Sequence, residues 1–237
     1  MFVISEISPQ HSGDPYRAEQ AILQSKLAGA DAAKLQLYPG ELYSTPEVDR
    51  RYLTMGFEEL KRLKEYGDKV GMPVFATAFT EDRLEWCLEL GLPWLKVAAG
   101  MHVRFPELVE KIISQGKPTF ISIPSTLDSK SVPRVTHGIY FYCVADYPTL
   151  LEDQTMPEVF VPGEFDGFSD HSPGVGSALL ACARGARYLE KHFTLDKSLQ
   201  CATEKAHFGS MDYADLHLIK QVTRQMEMVL HKGKIPA

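Results

Sequence analysis

Two patterns of apolar and polar positions alternate along this chain. Short apolar runs predict strands, and amphipathic spacing predicts helices. Short apolar runs of strand length occur at eight places: residues 2–7, 32–38, 73–79, 93–100, 118–124, 138–144, 165–171 and 187–195. Such near-continuous apolar strands are typical of a parallel sheet that is buried on both faces.

Helical patterns separate most of these strands. Residues 16–27, 57–70, 81–90, 105–115 and 213–230 have the spacing of amphipathic helices, and a small-residue helix lies between Gly176 and Gly185. Glycines follow several of the helices, as is common where a helix ends. The pattern is weakly helical at best over 125–136 and indicates a poor helix over 150–160.

Eight strands alternating with helices predict an α/β fold, specifically a single (β/α)8 TIM barrel over residues 1–237. An open doubly wound sheet is the alternative, but no GxGxxG motif follows the first strand. The length of 237 residues matches one barrel, and the composition of 44% hydrophobic and 24% charged residues is that of a globular protein.

Charge and cysteine content narrow the function classes. The net charge of −6 argues against a nucleic-acid partner, and no apolar run has the length of a membrane span. The four cysteines lack metal-binding spacing, which fits a reducing compartment. The chain opens directly with a strand, so we expect no signal peptide and a cytoplasmic location.

Two histidines close consecutive predicted strands, His171 in SDHS and His192 in EKHFT. A crossover helix between parallel neighbours would place both imidazoles at one edge of the sheet, where they could hold a divalent metal. The alternative is that each histidine is a core or edge residue with a local hydrogen bond. Lys191, between Glu190 and His192, should point to the opposite face, towards the surrounding helices.

Polar residues at the ends of the other strands should face the same mouth of the barrel. Lys34 and Lys96 stand inside apolar strands, where a buried ammonium needs an anionic partner or a function. Three readings are open: a Lys–Glu pair, with Glu6 as the obvious partner, a clamp for phosphate or carboxylate, or a Schiff-base lysine. The strand-end set comprises Glu6, Lys34, Gln36, Thr77, Lys96, Ser122, Tyr147, Ser169, His171 and His192.

Four segments together resemble the sialic acid synthase family, which includes legionaminate, pseudaminate and spore-coat polysaccharide synthases. They are AGADAAKLQ, the ATAF and LGLPWLKVAAG block, GFSDHS and EKHFTLD. The resemblance implies a (β/α)8 barrel that condenses phosphoenolpyruvate with an N-acylated amino-hexose such as N-acetylmannosamine. A nonulosonic acid and phosphate would be the products. It also implies a divalent metal, Mn²⁺ or Mg²⁺, held by His171 and His192.

The same resemblance implies roles for individual residues. Glu6 and Tyr147 match family residues near the acceptor sugar and the metal, and Glu204 falls about where the family has an aspartate. Of the whole set, Glu6, Lys96, His171 and His192 would be catalytic. The residues matching the phosphoenolpyruvate contacts are Lys34, Thr77, Lys96, Ser122 and Ser169; Gln36, Tyr147 and Glu204 complete the predicted substrate-binding set.

The chain also departs from the family pattern. The family usually has Ser-Gly-Glu after strand four, where this chain has Ala99, Gly100 and Met101. Ala145 stands for a common asparagine, and Gln10 for the asparagine of an Asn-His pair. These changes support one alternative, a non-catalytic or altered-specificity barrel that binds an anionic metabolite or a partner. A Schiff-base aldolase through Lys96 or Lys34 is a further alternative.

The usual C-terminal antifreeze-like domain of the family is expected to be absent from this chain. The partners that the resemblance then implies are a second copy of the chain, forming a homodimer, or a separate polypeptide that supplies the missing domain.

Overall fold

A computed structural model of the protein describes residues 1–199 and 206–230, in which eight parallel strands form a closed barrel. Each strand pairs with the next, and β1 pairs with β8 to close the ring. The predicted (β/α)8 class is therefore confirmed. The strands are β1 Phe2–Glu6, β2 Ala32–Leu37, β3 Val74–Ala78, β4 Leu95–Val97, β5 Thr119–Pro124, β6 Gly138–Cys143, β7 Gly167–Asp170 and β8 Tyr188–His192.

Helices surround the barrel at most of the predicted places. They are α1 Pro15–Ala28, α2 Gly40–Tyr43, α3 Phe57–Val70, α4 Glu81–Glu89, α5 Met101–Arg104, α6 Pro106–Ser114, α7 Gly176–Ala183, α8 Ala206–Gly209 and α9 Tyr213–Leu230. The short helices α2, α5 and α8 were not predicted. None of the helices in the described residues is long and apolar enough to cross a membrane.

The helix predicted over residues 150–160 was wrong. This segment forms turns, and so, within residues 1–199, β6 and β7 are joined without an α-helix. Pro157 interrupts this segment and Pro148 and Pro162 flank it; a proline lacks a backbone N–H and restricts the residue before it. Between β5 and β6 the structure has only the single 3-10 turn Ser129–Ser131.

Capping residues determine where α1, the helix that joins β1 to β2, begins and ends. The Asp14 carboxylate accepts a hydrogen bond from the Tyr16 N–H at 2.8 Å, and Pro15 occupies the first turn. The helix ends at Gly29, whose φ of 105° lies in the left-handed region that other residues avoid. The chain then enters β2, which carries Lys34 into the lumen.

An aromatic layer fills the amino-terminal half of the barrel lumen. It consists of the rings of Phe2, Phe75, Trp94, Phe120, Phe141 and Tyr188. Phe120 lies at its centre, and ring centroids are 5.4 Å apart for Phe75 and Phe120 and 5.6 Å apart for Phe120 and Phe141. A side chain at Gly167 would place its Cβ 2.7 Å from the Tyr188 Cβ and 2.9 Å from the Phe141 ring. The layer is thus a close-packed floor, and no substrate can enter from that end.

Candidate active site at the carboxyl ends of the strands

Above the aromatic layer the lumen becomes polar. In four strands the residue two positions after an aromatic residue is polar, so it faces the same lumen one level higher. These residues are Thr77, Lys96, Ser122 and Glu190. The upper half of the lumen is therefore built from the same strands as the floor, but from side chains that carry chemistry.

Four buried charges form a cluster in the middle of this upper half. We call Glu6, Lys34, Lys96 and Glu190 the lumen charge cluster; each is at most 8% exposed. Lys34 donates a hydrogen bond to the Glu6 carboxylate and lies 3.8 Å from Glu190 Oε1. Lys96 Nζ lies 3.6 Å from Glu190 Oε2. Two positive and two negative groups offset each other, as buried charges require. The Lys–Glu pair considered for Lys34 is present.

Hydroxyl and amide groups surround the cluster. Lys34 Nζ donates to Thr77 Oγ1 at 3.2 Å, while Lys96 donates to Ser122 Oγ. Ser122 Oγ is in turn 2.8 Å from Ser169 Oγ. Gln36 Nε2 donates to Glu6 Oε2 at 3.3 Å. The predicted hydroxyls therefore lie beside the two lysines.

The two lysines are electrostatically different. Burial by itself lowers the pKa of Lys34, but the carboxylates of Glu190 and Glu6 outweigh burial and raise it. The pKa of Lys96 is lowered, because burial dominates and the charge of Lys34 adds to it. Burial raises the pKa of Glu190, but Lys34 and Lys96 outweigh burial and lower it. Lys96 is therefore the cation that is held least firmly.

The charge cluster leaves hydrogen-bonding capacity unused. Glu190 Oε2 is buried and accepts no hydrogen bond from the described residues. An ammonium has three N–H groups. Within the described residues Lys34 makes two hydrogen bonds, to Glu6 and Thr77, and Lys96 makes two, to the Val97 carbonyl and Ser122. The third N–H of each lysine makes no hydrogen bond within the described residues, because Glu190 lies 3.8 Å from Lys34 and 3.6 Å from Lys96. These N–H groups are the donors that an anion would bind.

His171 and His192 meet at the mouth of the barrel, above the charge cluster. Their ring centroids are 5.7 Å apart. The Nδ1 of His171 lies 2.7 Å from the Val144 carbonyl oxygen, and the Nδ1 of His192 lies 3.1 Å from Gln10 Oε1. A carbonyl oxygen only accepts hydrogen bonds, so both Nδ1 atoms carry the proton. Each neutral imidazole then has its lone pair on Nε2.

This arrangement fits a metal site with two protein imidazoles. Burial lowers the pKa of His171 and of His192, which favours the neutral form that binds metals. An oxygen that accepts from Nδ1 is the usual support of a metal-binding histidine. The described residues offer no group of three His, Cys, Asp or Glu side chains placed to hold a metal ion. The remaining ligands would therefore have to come from water, substrate or residues outside those described.

The rim of the mouth is formed by Tyr147 and α8. The Tyr147 ring lies 4.1 Å from the His171 ring between centroids and 5.8 Å from the His192 ring, and the residue is half exposed. A side chain at Gly209 would place its Cβ 2.4 Å from the His171 carbonyl oxygen, so α8 packs directly against the backbone of His171. A ligand above the histidines would contact Tyr147.

The end of β4 is apolar where the family pattern is polar. Met101 is the first residue of α5 and is 1% exposed, and its Sδ accepts from the Ala98 N–H at 3.4 Å. The neighbouring His102, which sequence reasoning missed, has its Nε2 2.9 Å from the Ser122 carbonyl oxygen. Burial lowers the pKa of His102. Met101 therefore contributes packing at this position and no titratable group.

Lys191 faces away from the lumen, as predicted. Its Nζ donates to Asp170 Oδ2 at 2.9 Å and to the Ser172 carbonyl at 2.5 Å, and both side chains of the ion pair are fully buried. This pair joins β7 to β8 on their outer face. It holds together the two strands that deliver His171 and His192.

The predicted site residues within the described part of the chain come together at one end of the barrel. They are Glu6, Lys34, Gln36, Thr77, Lys96, Ser122, Tyr147, Ser169, His171 and His192. Glu204 lies outside the described residues. The roles given to all of these residues remain predictions. The predicted site residues did not include Glu190 or Gln10. The period-2 rule marked Glu190, which lies two residues before His192, whereas Gln10 was noted only as a departure from the family's Asn-His pair.

Comparison with known proteins agrees with the motifs. A sequence model described as the NeuB family matches residues 21–235. The N,N'-diacetyllegionaminic acid synthase of Legionella pneumophila is 27% identical, covering 98% of this chain and 74% of its own. The mouse N-acetylneuraminate-9-phosphate synthase is 28% identical, covering 97% and 71%. The crystal structure of N-acetylneuraminic acid (sialic acid) synthetase from Leptospira borgpetersenii, in complex with citrate, matches with a TM-score of 0.86 at 28% identity, covering 100% and 87%.

Proposed function

This chain belongs to the NeuB family of sialic-acid-like synthases, and we propose that it condenses phosphoenolpyruvate with an N-acylated amino-sugar aldehyde. The products would be a nonulosonic acid and inorganic phosphate. The observation that carries the proposal is the pair of buried ammonium groups of Lys34 and Lys96, each with an N–H left for an anion.

Phosphoenolpyruvate matches the charge cluster because it has two anionic groups, a phosphate and a carboxylate. Lys34 and Lys96 would bind them, and Thr77, Ser122 and Ser169 would add neutral hydrogen bonds. Glu190 lies 3.8 Å from Lys34 and 3.6 Å from Lys96 and faces both cations. An incoming anion would compete with Glu190 for the two lysines.

The reaction forms one carbon–carbon bond, and at C2 it replaces the carbon–oxygen bond to phosphate with one to an oxygen from water. The enol carbon C3 attacks the aldehyde carbon, and the aldehyde oxygen gains a proton. Water adds to C2 and loses one proton, which balances the proton gained by the aldehyde oxygen. Phosphate then leaves with the bridging oxygen as the new C2 hydroxyl becomes the ketone and its proton passes to phosphate. The lysines and hydroxyls would hold the enol in place beneath the aldehyde, which makes the encounter effectively unimolecular. Mn²⁺ or Mg²⁺, held by His171 and His192, would supply Lewis acidity towards the aldehyde oxygen.

The test is phosphate release from phosphoenolpyruvate with a panel of N-acyl hexosamines and Mn²⁺. We expect turnover with at least one acceptor, and its loss in His171→Ala. His137→Ala is the matched control, because His137 contacts the Ile113 carbonyl immediately before β6, at the opposite end of the barrel. The proposal fails if no acceptor supports turnover, or if His171→Ala is as active as His137→Ala.

A Schiff-base aldolase is the second candidate, and the lowered pKa of Lys96 favours it. A larger fraction of this amine is neutral and nucleophilic than for an ordinary lysine. Borohydride in the presence of pyruvate would then trap an adduct on Lys96, and chelators would leave activity unchanged. Absence of an adduct, with activity lost in EDTA, favours the metal-assisted synthase.

Binding without catalysis is the remaining alternative, and Met101 is the residue that supports it. Thermal stabilisation by phosphoenolpyruvate without turnover of any acceptor would favour this reading. Phosphate release would exclude it.

A further inference from the structure

Gln10 reaches the metal-site histidine from the loop after β1. It is 4% exposed, and its side-chain carbonyl Oε1 lies 3.1 Å from His192 Nδ1. Its amide nitrogen Nε2 is buried and has no hydrogen-bond partner among the described residues. The Oε1 atom of this amide therefore has a hydrogen-bond partner, and the Nε2 atom has none among the described residues.

A buried amide donor without a partner lowers the stability of the folded state. Such groups are rare in folded proteins and call for an explanation. Here the unpaired donor shares a carbon atom with the oxygen that holds His192. It therefore lies beside the His192 imidazole, and a ligand oxygen that reached this position would satisfy it.

We propose that Gln10 has two linked roles, one on each atom of its amide. Its carbonyl fixes the proton of His192 on Nδ1 and so presents Nε2 to a divalent metal. Its N–H donates a hydrogen bond to an oxygen of the substrate that occupies the site beside His192. The inference rests on the proposed function in its metal site, and it adds a positioning and substrate-binding residue to it.

The metal role is tested by titrating the metal-free full chain with MnCl₂ in a calorimeter, without substrates. Gln10→Met keeps the side-chain volume but removes both polar atoms, and we expect Mn²⁺ affinity to fall about 10- to 100-fold. Gln10→Glu retains an oxygen that accepts from Nδ1, so its Mn²⁺ affinity should equal or exceed that of the wild type. If Gln10→Met does not fold, Gln10→Asn, whose carbonyl is withdrawn by one carbon, replaces it.

The substrate role is tested by calorimetry on the Mn²⁺-loaded protein with phosphoenolpyruvate and with N-acetylmannosamine, each added alone. Gln10→Glu places a carboxylate oxygen where the N–H should meet a ligand oxygen. We expect the affinity for at least one of the two compounds to fall about tenfold or more. Gln154→Met is the matched control, because Gln154 also has one bonded and one unpaired side-chain atom but lies in the segment between β6 and β7.

A structural glutamine would lose metal and substrate affinity equally in both variants, in step with thermal stability. That result overturns the inference, as does unchanged Mn²⁺ affinity in Gln10→Met or unchanged substrate affinity in Gln10→Glu. If the wild type turns over phosphoenolpyruvate but binds no Mn²⁺, the inference fails while the condensation stands. If the two variants behave as expected but no acceptor releases phosphate, the inference stands and the proposed condensation fails.

Discussion

The two halves of the barrel lumen share strands but differ in how completely their side chains are satisfied. In the lower half, the aromatic layer packs ring against ring, and Gly167 is needed because no side chain fits there. In the upper half, Glu190 Oε2 and Gln10 Nε2 are buried without a hydrogen-bond partner in the described residues. The boundary lies at Lys96, whose ammonium is 5.6 Å from the centre of the Phe141 ring.

The lower half of the lumen therefore contributes to the stability of the fold, and the upper half contributes to ligand binding and catalysis. Close-packed rings contribute burial and leave nothing for a ligand to do. Charges and amides with unused hydrogen-bonding capacity lower stability and become satisfied when a ligand binds. Substitutions in the lower half should therefore change unfolding, and those in the upper half should change binding and turnover.

The largest effect that we expect is a loss of catalytic efficiency when a lysine in the upper half of the lumen is replaced. Lys96→Met should lower kcat/KM for phosphoenolpyruvate by about a thousandfold, because a charge that stabilises the reacting anion is lost. Phosphate-release kinetics measure the change, and circular dichroism checks the fold. Lys61→Met, on the exposed face of α3, is the control and should be near wild type. A Lys96→Met enzyme within tenfold of wild type would remove Lys96 from the site.

The matching effect in the lower half is on stability. Phe120→Ala should reduce the free energy of unfolding by about 3–5 kcal/mol, because it opens a cavity at the centre of the aromatic layer. Urea denaturation measures the change, and Val229→Ala, at an exposed site on α9, is the control. Turnover per folded molecule should be nearly unchanged. If turnover falls with stability intact, the two halves are not separable.

The smallest effect that we expect is a change in how strongly phosphate stabilises the protein when the Glu190 carboxylate is replaced. Glu190→Gln removes one negative charge from between Lys34 and Lys96 while keeping the shape of the side chain. Inorganic phosphate should then raise the melting temperature by a few degrees more in the variant than in the wild type, since ligand binding stabilises the folded state. Glu65→Gln, exposed on α3, is the control. An equal phosphate effect in wild type and Glu190→Gln would show that Glu190 does not compete with anions.

Prediction of the fold succeeded where local patterns carry the information. The eight strands and the bounds of α3 and α9 follow from periodicity and from glycines at helix ends. It failed over 150–160, where apolar residues suggested a helix but Pro157 interrupts the segment and Pro148 and Pro162 flank it. Predicted strands were generally too long, because apolar residues beside a strand are also buried by loops and helices.

Prediction of the site also succeeded where local sequence patterns carry the information and failed where they do not. The lysines within strands and the histidines at strand ends were visible because such residues are out of place in apolar sequence. Glu190 obeys the same alternation and was left out, although a repeated aromatic-x-polar pattern links Tyr188 to it. Gln10 was noted only as a departure from the family's Asn-His pair, and its contact with His192 could not be predicted because the two residues are 182 positions apart.

The sequence by itself determined the barrel, the end of it that carries the polar groups, and the family. It could do so because strand alternation and helix termination depend on neighbouring residues. Only the tertiary structure decided which groups meet: Lys34 with Glu6, Glu190 between two lysines, and Gln10 against His192. Those partnerships depend on how strands distant in sequence are brought into register when the barrel closes.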